Sequence, residues 1–330
     1  KVWTDGGDPR SLVEQAEQAI FRAGHDHDSS QLRTIEDVLH EELDKLERLS
    51  KEGQSLTGTP SGYRDLDDIT GGFQPGNLIV LAARPAMGKS ALATCMAENA
   101  AVDHDRAVAL FSLEMSEGEL AQRFIASRAK INGESLRKGR VKADRWPKLL
   151  QATEKLARAP IFIDDSSDLG VLELRAKAKR LHQRSPLGLL IVDYLQLMRA
   201  EDPRDGRVEQ VGKISRGLKI LARELHIPVI AVSQLSRAVE SRPDKRPLMS
   251  DLRESGNIEQ DADMVMFVYR DEYYNPDTTE KPGVAEIIIG KHRNGPIGNV
   301  ELTFLSNYPK FASIARERIA ETAGSMGGAA

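Results

Sequence analysis

A single cysteine, Cys95, in 330 residues excludes an internal disulfide and fits a reducing, cytoplasmic setting. Long apolar runs are missing as well. The longest, Leu78–Ala83 and Met264–Tyr269, hold six residues each, against about 20 for a helix that spans a bilayer, so no membrane segment is expected. The opening Lys1-Val2-Trp3-Thr4-Asp5-Gly6-Gly7 carries no apolar core of a signal peptide. Aromatic residues make up only 5%, and residues 199–256 contain no Phe, Trp or Tyr. The 26 glycines and 15 prolines fall short of a low-complexity fraction. A large excess of one charge sign is absent too: the net charge of −4 argues against a uniformly basic nucleic-acid binder.

The charge that is present is unevenly placed. Residues 1–68 hold 8 basic and 16 acidic side chains, whereas residues 199–253 hold 12 basic and 8 acidic, so any contact with a polyanion should be local. Asp8-Pro9 is a good helix start, and Leu12, Val13, Ala16, Ala19, Ile20 and Ala23 form a helical stripe. The polar run 24–31 detaches that helix, so its stripe packs either on its own domain or on a neighbouring subunit. A second helix is expected over 34–49. From residue 77 short apolar strands alternate with amphipathic helices: strands at 78–83, 107–112, 160–163, 188–192, 228–232, 264–269, 284–289 and 299–304, helices at 88–102, 116–130, 169–184 and 208–226. Crossovers between the first five strands imply an α/β fold with a mostly parallel, doubly wound sheet, closed by a C-terminal β-hairpin. The Ala- and Gly-rich run from Arg316 should fray. The helix 173–184 reads as a solvated basic face with Leu174, Ala178 and Leu181 buried.

The sharpest motif is Ala83-Arg84-Pro85-Ala86-Met87-Gly88-Lys89-Ser90, between an apolar strand and a helix. This is the setting of a P-loop, in which backbone N–H groups of residues 84–90 wrap a β-phosphate and the helix N-terminus adds its dipole. Gly88 permits the close approach. Lys89 would reach the β- and γ-phosphates of ATP, and Ser90 would hold Mg²⁺ through its hydroxyl. Alanine replaces the first glycine of the pattern at Ala83, which requires a negative φ there. Leu189-Leu190-Ile191-Val192-Asp193 places a carboxylate at a strand end. Standing alone Asp193 would be a helix cap; beside a P-loop it becomes a second Mg²⁺ anchor. Glu114, in Phe111-Ser112-Leu113-Glu114-Met115, emerges on the same carboxyl edge, where it could deprotonate the water that attacks the γ-phosphate, or simply be a solvated residue before a cap at Ser116. His25, His27 and the other histidines share no zinc spacing with Cys95, and no Ser/His/Asp hydrolase pattern is visible.

Six ordered segments, AARPAMGKS (82–90), FSLEMS (111–116), LLIVDYLQLM (189–198), VIAVSQLSR (229–237), SDLRESGNIEQDAD (250–263) and KHRNGP (291–296), together resemble the RecA-like motor domain of bacterial replicative helicases of the DnaB type. The resemblance covers 55–312, with 1–54 similar to the linker helix and lead-in of that family, 313–330 a flexible tail, and the family's N-terminal helical domain not represented. It implies an ATP-hydrolysing motor that moves on single-stranded DNA at a replication fork as a homohexamer, with primase and a helicase loader as further partners. It also implies roles for particular residues. Lys291 and Arg293, two apart on a strand, would enter the adjoining subunit's site; without the resemblance they would be ordinary charges on a sheet edge. Gln234 would couple hydrolysis to DNA movement. DNA would meet the loops 200–207 and 241–256: Arg253, Glu254 and Gly256 match the strand-binding loop, while Arg204 and Arg207 are candidates by charge that could equally be solvated. The lack of stacking aromatics there suits a motor that slides. An ATP-switched recombinase filament and a DNA-indifferent phosphotransferase are the rival readings.

Overall fold

The computed structural model describes residues 34–52, 56–200, 202, 204–255 and 258–314. The expected helix at 8–23, the tail from 316 and Gly256 lie outside the described residues. The chain divides into two units, 1–54 and 55–330. In the first, one helix runs Ile35–Glu52, opened by the Thr34 hydroxyl, which accepts a hydrogen bond from Asp37 N at 3.2 Å. Among the described residues no helix is long and apolar enough to cross a membrane.

The second unit is built on one nine-stranded sheet: β1 Leu78–Ala83, β2 Ala107–Ser112, β3 Ile161–Asp164, β4 Leu187–Asp193, β5 Val229–Gln234, β6 Met264–Tyr269, β7 Val284–His292, β8 Gly298–Leu305 and β9 Lys310–Ser313. Their order is β3-β2-β4-β5-β1-β6-β7-β8-β9. The first six in that order are parallel and the last three antiparallel. The mostly parallel sheet matches the sequence expectation. The expected hairpin β7–β8 is present, and a third strand, β9, joins it, too short to announce itself by alternation.

Parallel strands are covered on both faces, which is why β1 and β6 are continuous apolar runs and β2 is apolar up to Ser112, all three buried at every position. Alternation within β1 divides the interior into two. Ile79, Leu81 and Ala83 pack with Leu92, Met96, Leu120 and Phe124 from helices 89–98 and 117–129. Leu78, Val80 and Ala82 pack with Leu174, Leu218 and Leu221 from helices 171–184 and 207–225. Leu174 and Ala178 are buried as expected, with Leu181 half-buried against the same core. The helix after β1 is α-helical over Lys89–Glu98 and continues as a π-turn, Asn99–Asp103. Helices Arg64–Thr70 and Trp146–Arg158 were not anticipated. The second begins with Pro147 in its first turn, a start signal present in the sequence.

At the amino edge of the sheet, buried Asp263 joins three elements. Its Oδ2 accepts from Leu78 N at 2.8 Å and from Lys219 Nζ at 2.5 Å, and its Oδ1 lies 3.1 Å from an Arg293 nitrogen. Breaking a buried pair from one side costs about 3–5 kcal/mol, so Asp263→Ala should lower the unfolding free energy by about 3 kcal/mol in urea denaturation. A loss under about 1 kcal/mol would contradict this role.

Candidate nucleotide site

Strand polarity assembles the site. β1, β2, β4 and β5 all end on one edge, and each delivers a residue there: the loop 83–90, Glu114, Asp193 and Gln234. Ala83 is still within β1, paired with Gln234, so the alanine in place of glycine is accommodated by extended backbone. The turn of the loop falls later, with positive φ at Ala86 (64°) and Gly88 (99°). Gly88 precedes helix 89–98 directly, and a Cβ on it would meet the Phe311 ring at 3.0 Å.

Lys89 is buried, 8% exposed, and its ammonium stands between opposite charges. Nζ lies 3.5 Å from Glu114 Oε2, 3.5 Å from Asp193 Oδ1 and 4.3 Å from the centroid of the Tyr194 ring. Main-chain contacts fix where these groups stand. Leu113 N donates to Asp193 O at 2.7 Å, tying the Glu114 segment to the end of β4. Ser116 and Glu119 form a reciprocal capping box that fixes where helix 117–129 begins and hence where Glu114 stands. Glu114 is half-exposed (52%), open to a water molecule, whereas Asp193 is 4% exposed and its Oδ1 accepts no hydrogen bond. A buried carboxylate oxygen that has an ion pair at 3.5 Å but no hydrogen bond is under-satisfied. With the Ser90 hydroxyl on the first turn of the adjacent helix, it makes a donor set suited to a hard divalent cation that keeps water and phosphate ligands. Among the described residues no group of three or more His, Cys, Asp or Glu gathers as a separate metal site.

The remaining expected residues are distributed as follows. Pro85 and Ala86 are exposed at the loop tip, and Met87 is in the core. Arg84 is buried and faces away from the hollow: NH1 donates to Leu235 O at 2.7 Å and Nε to Glu240 at 2.8 Å. Only its backbone is available to the cradle. Lys291 and Arg293 are on the opposite edge, because β7 runs against its neighbours. Lys291 Nζ donates to Glu259 O at 2.5 Å; Arg293 reaches Gln260 O at 3.2 Å and Asp263 at 3.1 Å. Burial and the adjacent Arg293 charge hold the Lys291 ammonium below its ordinary value. Gly290 is the extra residue of a bulge between them and β6, where any Cβ would meet Phe267 at 2.6 Å.

In the loop region Arg204 pairs with Asp202 at 2.8 Å. Arg207 donates to Gln196 O. Of Arg253 and Glu254 only the backbone is described, within a 3-10 turn, Met249–Ser255. Two arginines that contribute to the positive segment are engaged internally: Arg242 with Asp251 at 2.8 Å and Arg246 with Glu286 at 2.8 Å. Three residues near the cradle escaped sequence reasoning. Tyr194 stands beneath Lys89, its phenol raised above the ordinary value by burial and by Glu114 and Asp193. Arg270, at the end of β6, donates to Ala86 O at 3.4 Å. Gln196 bonds the end of β5. Strand-end position was the available signal for Tyr194 and Arg270.

Fold and site together define a doubly wound α/β protein with a candidate phosphate cradle at the carboxyl edge of its sheet. The DnaB-like helicase C terminal domain family matches residues 58–313. The replicative DNA helicase DnaB of Geobacillus stearothermophilus is 46% identical over 306 residues, covering 92% of this chain and 67% of that protein. The replicative DNA helicase DnaC of Bacillus subtilis (strain 168) is 45% identical, covering 95% and 69%. Among solved structures, a DnaB-like replicative helicase, described with its interactions with primase, superposes with a TM-score of 0.78 at 36% identity over 93% of this chain and 76% of its own. An isolated ATPase domain gives 0.81 at 39% over 86% and 100%. The chain belongs to the DnaB-like helicase family.

Gly88→Ala should cost roughly 1–2 kcal/mol through its positive φ and weaken ATP binding about tenfold or more, since 1.4 kcal/mol is a factor of about ten. Thermal unfolding and titration with a fluorescent ATP analogue check both; wild-type affinity would contradict the cradle geometry.

Proposed function

We propose that this chain is the ATP-driven motor of a replicative DNA helicase. It translocates on single-stranded DNA and unwinds the duplex as a ring of six copies, residues 55–312 forming the motor and 1–54 its linker and lead-in. One observation carries the reading: the phosphate cradle and the cation pair Lys291/Arg293 sit on opposite edges of one sheet. Five residue steps along β1, at about 3.3 Å each, separate Leu78, beside Asp263 and Arg293, from the loop that begins at Ala83. That is farther than either side chain reaches, which supports a role for these cations at the site of another copy rather than at their own.

Within one site, Lys89 neutralises the β- and γ-phosphates, exchanging its two carboxylate neighbours for phosphate oxygens. Glu114 accepts the proton of the attacking water. Asp193 and Ser90 would hold Mg²⁺, which supplies charge neutralisation at the phosphates when bound. Gln234, main-chain paired to Ala83, registers whether the γ-phosphate is present. Lys291 and Arg293 leave the carbonyls of Glu259 and Gln260 and the Asp263 carboxylate to meet the neighbour's γ-phosphoryl group. A cation so delivered is worth on the order of 10³–10⁵ in rate. DNA lies along the loops 200–207 and 241–256, where Arg204, Arg253 and the backbone N–H groups of Glu254 and Gly256 meet phosphates regardless of base. Primase and a loader act through regions beyond the motor, and the work is done in the cytoplasm.

Lys89→Ala should abolish ATPase and unwinding. Glu114→Gln should still bind nucleotide while turnover falls about 10²-fold or more. Arg293→Ala should lower kcat about 10³-fold with nucleotide Kd changed less than about threefold, a factor under about 1 kcal/mol. Steady-state ATPase and analogue titration check all three; normal hydrolysis by Arg293→Ala on single-stranded DNA would contradict the assignment in trans.

A further inference from the structure

Main-chain pairing between β4 and β5 stops at Val192 and Ala231. Beyond it the side chain of Gln196, in the 3-10 turn Leu195–Leu197, takes over the ladder. Its Nε2 donates to Ser233 Oγ at 2.9 Å and to Gln234 O at 3.2 Å, and its Oε1 accepts from Gln234 N at 3.2 Å. One amide thus acts as a peptide group of a paired strand would. The other side of the same stretch of β5 is paired to Ala83, and Leu235 N donates to Ala83 O at 3.1 Å. The end of β5 is therefore clamped between the phosphate loop and Gln196.

The main chain of Gln196 has a second partner. Its carbonyl accepts from the Arg207 guanidinium, and Arg207 is the first residue of helix 207–225. The loop before that helix is tied to the same helix: Gln210 donates to Asp205 O at 2.9 Å and Lys213 to the Asp205 carboxylate at 2.6 Å. Tyr194, Gln196, Arg207 and Gln234 all line one cavity of about 290 Å³. A displacement of the Gln234 main chain must carry Gln196 with it or leave a half-buried amide without partners, which is unfavourable. Gln196 in turn moves the residue from which the 200–206 loop is suspended.

We infer that Gln196 is a positioning residue that couples the nucleotide site to the 200–206 loop, with Arg207 as its tether rather than a phosphate contact. The inference rests on the reading of Gln234 given above. The role requires an amide, because the same side chain must donate twice and accept once; glutamate lacks the donors and asparagine the reach.

Coupling between two ligands is reciprocal, and that supplies a readout which a merely structural role would not move. In the wild-type protein, single-stranded DNA should raise affinity for a nonhydrolysable ATP analogue by the same factor by which the analogue raises affinity for DNA. Gln196→Ala and Gln196→Glu should each reduce both factors equally, about fivefold or more, with thermal unfolding as the control for folding. Should Gln196→Ala fail to fold, Gln196→Glu and Arg207→Lys carry the test. Unchanged coupling in the Gln196 variants, with coupling lost in Gln234→Ala, overturns the relay and leaves the Gln234 reading standing. Coupling that survives in Gln234→Ala removes that reading and the relay with it. A drop of about one in the salt slope of DNA binding on Arg207→Ala would mark it as a phosphate contact and overturn its role as tether.

Discussion

Strand polarity is the constraint on which the remainder depends. Six parallel strands place all their carboxyl ends on one edge, and the loop 83–90, Glu114, Asp193 and Gln234 meet there because right-handed crossovers over both faces return β1, β2, β4 and β5 in the same direction each time. The reversal at β7 has the opposite effect. It returns Lys291 and Arg293 to the amino edge, one strand length from the phosphate cradle of their own chain. Under the function proposed above, that separation keeps a lone copy from completing its own site.

Electrostatics at the cradle prepares the same outcome. The buried Lys89 ammonium is compensated by Glu114 and Asp193 at equal distances of 3.5 Å, so the cradle by itself contains no uncompensated buried cation. Under the function proposed above, a triphosphate would replace that compensation with a stronger one and free both carboxylates, one for a water and one for a metal ion. On the far edge, Asp263 plays the matching part for Arg293. Both groups of charges are thus held as internal pairs.

Much of this was legible in the sequence, and the reasons differ by element. Buried parallel strands write themselves as unbroken apolar runs, so β1, β2 and β6 coincide with their expected bounds. Strand β9 did not, because a four-residue strand, Lys310–Ser313, has no room for a period; it is held by the Phe304–Phe311 ring contact at 4.9 Å. Helix Trp146–Arg158 follows a stretch of charged residues that masked its start. At the site, the residue types of 83–90 placed a turn between strand and helix directly, but charge counting could not say which arginines are engaged within the chain. Arg84 and Arg246 are taken by carboxylates far away in sequence and Arg242 by one nine residues on, and Gln196 has a role only because β5 ends beside it.

The measurement closest to the central claim mixes two disabled chains. Lys89→Ala lacks the cradle cation and Arg293→Ala lacks the delivered one, so an interface between them can unite an intact Lys89 with an intact Arg293. The account predicts that an equimolar mixture on single-stranded DNA regains ATP turnover well above that of either variant alone. A mixture shown by mass measurement to form mixed particles, yet still inactive, would contradict it.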